Sequence, residues 1–93
     1  MAIFAVMVQP NEKAPNLRTA IAAIYPDDHL KISDDAYLVA AKGTTAKEIS
    51  DKLEISSGTN GLAVILQTTD FWGRASTATW AWLKAKGEAT SGG

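Results

Sequence analysis

The sequence predicts an α+β fold: one four-stranded antiparallel sheet against two helices, in the order β-α-β-β-α-β, with an additional helix at the C-terminus. Three observations carry this. Four short runs rich in branched and aromatic residues (AIFAVMV, HLKI, AYLVAAK and LAVILQT) are bounded by Pro, Gly, Asp, Asn or Ser and are too short for helices. Two stretches between them place apolar residues at helical spacing. The second and third runs are separated only by Ser33, Asp34 and Asp35, so they form a hairpin and the sheet is antiparallel there.

In order, residues 2–8 form the first strand, with Pro10, Asn11 and Pro15 punctuating the loop that follows and Pro15 suited to a first helical turn. NLRTAIAAIY is a helix with Leu17, Ile21 and Ile24 as its apolar stripe, stopped by Pro26. In HLKI, Leu30 and Ile32 face one way and His29 and Lys31 the other. After AYLVAAK, Gly43 ends the strand, and TTAKEISDKLEI is a helix whose Thr45 and Glu48 stand at capping-box spacing. Ile49 and Leu53 are its buried stripe, and Glu48 and Lys52 are spaced for an ion pair. SSGTNG reads as a flexible connection to the last strand. This element order is that of a ferredoxin-like sandwich. The 93 residues make a single domain, divided into a core (1–69), an aromatic loop (70–75), a C-terminal helix (76–87) and a flexible tail (88–93).

Composition excludes several function classes. A hydrophobic content of 46% with 20% charged residues is that of a globular chain, not a disordered one. A formal net charge of −1 supplies no field that would draw the protein to nucleic acid or anionic lipid. Without cysteine there is no disulfide, thiolate zinc site or thiol nucleophile, which fits a cytoplasmic location. The opening MAIFAVMVQP lacks the basic segment of a signal peptide, and no apolar run approaches the roughly 20 residues of a membrane span.

The strands are apolar on both faces. Ile3, Ala5 and Met7 oppose Phe4, Val6 and Val8; Leu62, Val64 and Leu66 oppose Ala63 and Ile65; Tyr37 and Val39 oppose Leu38 and Ala40. A sheet apolar on both faces is covered on both, and the first two helices cover only one. From Ser76 onward the chain reads as a helix on which Trp80 and Leu83 share a face, while Trp82 lies roughly 200° from Trp80. Both indoles do not fit one core stripe. Each ring is worth several kcal/mol if it is buried, at about 25 cal/mol per Å² over roughly 150–250 Å². The expectation is a homodimer or higher homo-oligomer, formed by the second sheet face and this helix.

Candidate sites compete with plain structural roles. His29 beside Asp27 and Asp28 has the composition of a general base oriented by a carboxylate, or of a solvated loop. The acids at 27, 28, 34 and 35 match no metal-loop spacing, so no metal site is assigned. Gly43-Thr44-Thr45 and SSGTNG match no phosphate-binding fingerprint and serve as cap and turn. Phe71, Trp72 and Arg74 are suited to stacking a ring and holding an anion, or to covering the core with Arg74 paired to Asp70. Tyr37, Trp80 and Trp82 complete the candidates for ligand or partner binding.

Three general resemblances follow. Small ferredoxin-like RNA-binding domains carry aromatics on their first and third strands, as Phe4 and Tyr37 are placed here, but AYLVAAKG lacks their basic-Gly-aromatic pattern. CRISPR-associated small nucleases share the element order, yet their first strand ends in a metal-holding aspartate where this one ends in Val8-Gln9-Pro10. The doubly apolar sheet is most similar to the dimeric α/β-barrel proteins, which enclose a pocket between two sheets. The expected function is a small soluble homo-oligomeric module for protein interaction or small-ligand binding, non-catalytic and without cofactor. The alternative is a monooxygenase-like or isomerase-like barrel enzyme using His29 and Tyr37 as acid and base. A nuclease-like or RNA-binding role ranks third, and no membrane association is expected.

Overall fold

The computed structural model describes residues 1–9, 15–70 and 73–91. It is an α+β fold with strands β1 (Ala2–Val8), β2 (His29–Ser33), β3 (Ala36–Ala41) and β4 (Ala63–Thr68), and helices α1 (Pro15–Ile24), α2 (Ala46–Lys52) and α3 (Thr77–Ser91). The strand order is β2-β3-β1-β4, with every neighbouring pair antiparallel. It follows that β1 and β2 are parallel with β3 between them, and β3 and β4 are parallel with β1 between them. The longest strand sits beside β3 at the centre, and β2 and β4 form the edges.

One face is closed by α1 and α2. Phe4, Val6 and Val39 are fully buried, packed with Leu17 and Ile21 of α1 and with Ile49 and Leu53 at α2. Alternation along the strands puts Tyr37, Ala63 and Ile65 on this same face.

Helix α2 begins as its capping signature predicts, since Thr45 Oγ1 accepts a hydrogen bond from the Glu48 amide at 3.2 Å. The reciprocal half differs: the Glu48 carboxylate accepts from the Thr45 hydroxyl instead of reaching the Thr45 amide. The expected Glu48–Lys52 pair is replaced by Lys47–Asp51 at 3.0 Å on a neighbouring strip of the helix. The helix also stops before the predicted residue 55. Glu54 adopts φ 58 and donates its amide to Asp51 O, while Ile55 donates to Ser50 O. These two bonds form a Schellman ending with glutamate where glycine is usual. Buried Ile55 supplies the apolar contact that holds it there.

The SSGTNG connection is pinned and not a loose tether. Asn60, 8% exposed, donates from Nδ2 to Leu53 O at 2.7 Å and from its amide to Glu54 O at 3.0 Å. It satisfies two carbonyls that the end of α2 leaves open.

Strand β2 departs from simple alternation. A register irregularity between Lys31 and Ser33 leaves Ile32 half exposed, so it does not share a covered face with Leu30. Helix α3 runs past the expected residue 87 to Ser91. No proline follows Gly87, and a single glycine costs a helix only about 1 kcal/mol.

Candidate functional site

The second sheet face is built from three rows of cross-strand neighbours. Thr68, Ile3 and Ala40 form the first, Leu66, Ala5, Leu38 and Leu30 the second, and Val64, Met7 and Ala36 the third. Helix α3 crosses the first row. Leu83 packs with Ile3 and Ala40, all three nearly sequestered at 7%, 3% and 1% exposure. Met1 and Leu38 pack beside them, as do Trp80 and Trp82.

Both indoles thus meet one cluster, contrary to the expectation that they need separate surfaces. Leu83 lies between them around the helix, roughly 60° from Trp80 and roughly 100° from Trp82. Each ring is long enough to reach the flat sheet from its own flank of the helix, and each stays partly exposed. The Trp82 indole nitrogen is buried with no hydrogen-bond partner among the described residues.

An ion pair fixes the far end of the crossing. Lys86 Nζ lies 2.7 Å from Asp28 Oδ1, the side chains only 25% and 30% exposed. The Asp28 carbonyl in turn accepts from the Ala40 amide at 2.8 Å, which ties the pair to the first row. No sequence pattern links residues 58 positions apart, so this contact was not legible.

The β4 side of the face is open. Leu66 is 53% exposed, Val64 48% and Met7 46%, with Leu62 at 55% just before β4. These four side chains form an apolar patch, and among the described residues no ionisable side chain stands in its rows. Such a surface can bind another apolar surface; it supplies no acid, base or nucleophile.

The acid–base candidates lie on the opposite side of the sheet. His29 is the register partner of Val39, and Lys31 that of Tyr37, so His29 and Tyr37 share the helix-covered face. His29 Nδ1 is 2.6 Å from the Tyr25 carbonyl at the end of α1. The buried Tyr37 ring ends in a hydroxyl that accepts from Arg18 Nε at 2.9 Å. The Asp34 carboxylate lies 2.8 Å from Lys31 and 3.5 Å from Arg18. Hydrogen bonding and charge from Lys31, then Arg18, hold it below the usual carboxylate range. This cluster joins α1 to the β2–β3 hairpin, and it would not line a pocket enclosed between two second faces.

Arg74 is exposed and forms no ion pair with Asp70. Phe71 and Trp72 lie outside the described residues. Among the described residues no three His, Asp or Glu side chains converge on a common point. No helix in that set is long and apolar enough to cross a membrane. The chain matches no family model, and neither a curated protein nor a solved structure resembles it at a significant level.

Proposed function

We propose that this protein is a small cytoplasmic, non-catalytic interaction module that self-associates through the open part of its second sheet face. One observation carries the reading: the chain's own third helix covers Ile3, Ala40 and part of Leu38 on an apolar face and leaves Met7, Val64 and Leu66 about half exposed. A contiguous apolar patch on a small domain marks a binding surface. No charge within the patch opposes the meeting of two copies. The element order and the two crossovers, each spanning an intervening antiparallel strand, support a ferredoxin-like classification of the core.

Absolute mass by light scattering behind a sizing column tests the reading. The wild type is expected at a multiple of 9.9 kDa that persists on dilution. Met7→Lys, which puts a charge in the centre of the patch without touching either helix-packed cluster, is expected to lower that mass. Equal masses for the wild type and the variant would overturn this use of the face.

A further inference from the structure

The outer edge of β4 is a second unpaired surface. Gln9 donates to the Leu62 carbonyl at 3.1 Å in the same register that pairs Val8 with Ala63, so the even residues of β4 exchange bonds with β1. The N–H and C=O groups of Ala63, Ile65 and Gln67 therefore point away from the sheet. Among the described residues no backbone bond is made to them. Natural edge strands are usually blunted by a charge, a proline, a bulge or a cover. The opposite edge follows that rule, with Lys31 and a register irregularity on β2. Strand β4 does not: from Gly61 to Thr69 there is neither a charged residue nor a proline.

We propose that two copies of the chain pair antiparallel along their β4 edges, with Ile65 opposite Ile65, to give a continuous eight-stranded sheet. The strand is self-complementary in that register. The outward groups of Ala63 and Gln67 meet those of the partner's Gln67 and Ala63, for about six inter-chain N–H···O=C bonds in all. Val64 lies opposite the partner's Leu66, an apolar pair made twice on the second face. At the two-fold axis a residue meets itself, and there uncharged Ile65 brings no repulsion. Charge is what a foreign acidic or basic strand would need for steering, and this edge has none, which favours a second copy as the occupant.

This proposal rests on the reading of the chain as self-associating but uses a different surface, so the two are separable. The chain has no cysteine, so Ile65→Cys supplies a single thiol. In the paired edge the two Cα atoms stand about 5.5 Å apart, within the span a disulfide bridges. Ile65 is on the helix-covered face, so face-to-face packing of second faces cannot bring these thiols together. Mild oxidation is expected to convert Ile65→Cys to a covalent dimer. With both contacts present the wild type exceeds a dimer, so Met7→Lys is expected to fall to twice 9.9 kDa, and adding Gln67→Pro, which removes only an outward amide, is expected to reduce it to one chain. No cross-link, together with a Gln67→Pro mass equal to that of wild type, would overturn edge pairing and leave the face contact standing. A cross-linked dimer whose mass ignores Met7→Lys would uphold the edge and sink the face contact.

Discussion

Replacing Leu83 by alanine tests whether α3 is held to the sheet as described. Leu83 is the one fully docked side chain among those described on the helix, 7% exposed against Ile3 and Ala40. Burying a leucine side chain is worth about 1.5–3 kcal/mol, and Leu→Ala in closed cores costs about 2–5 kcal/mol once the residual cavity is counted. The second cluster is open beside Leu66 and Ala5, so the indoles can settle partly into the vacated space. The lower part of that range applies, about 2–3 kcal/mol. The cost falls on α3 first, because Phe4, Leu17, Ile49 and Leu53 form a separate cluster on the other face. Urea unfolding followed by both far-ultraviolet circular dichroism and tryptophan emission reads this out, since all three tryptophans lie within residues 72–82. With a slope of about 1 kcal/mol per molar urea, the emission midpoint should fall by about 2–3 M, with dichroism lagging behind. A change below about 0.5 kcal/mol on both probes would refute the docking of α3 through Leu83.

The other expectations concern single contacts. Lys86→Met removes a partly buried ion pair and should cost about 0.5–1 kcal/mol in chemical denaturation, an effect that shrinks at high salt; no salt dependence would mean the pair contributes nothing. Glu54→Gly relieves a left-handed glutamate and should stabilise by about 0.5–1 kcal/mol in thermal unfolding, whereas a loss would show that the side chain matters more than the backbone angle. Asn60→Ala leaves the Leu53 carbonyl buried without its donor and should cost about 1–3 kcal/mol, read as a lower urea midpoint. The Asp34 carboxyl is depressed in the folded state by Lys31 and Arg18, so its contribution is present above the ordinary carboxylate pKa and is lost as pH falls through the lowered value. Asp34→Asn should flatten that acid limb of stability measured across pH, and an unchanged limb would refute the coupling.

Much of the architecture was legible because it rests on local periodicity. A period of two set which strand residues oppose which, and a helical period found α1 and α2; both are properties of neighbours along the chain. Thr45 announced the start of α2 for the same reason, its acceptor and the amide it satisfies being three residues apart. The end of that helix was not legible, because Glu54 gives no sign that Ile55 and Asn60 will hold it in a left-handed conformation from a distance. Among the candidate residues, Tyr37 was noticed for its chemistry, while its burial under Arg18 depended on α1 folding back over β3.

By itself, then, the sequence determined the number and order of elements through residue 68, the four-stranded antiparallel sheet and the apolar character of both its faces. Each follows from local patterning. Only the tertiary structure decided how the second face is divided, with α3 across Ile3 and Ala40 and water over Met7, Val64 and Leu66. That division depends on where the chain goes after Thr68 and on an ion pair between Asp28 and Lys86. Contacts between residues so far apart along the chain leave no period in it, because each depends on the path of everything between.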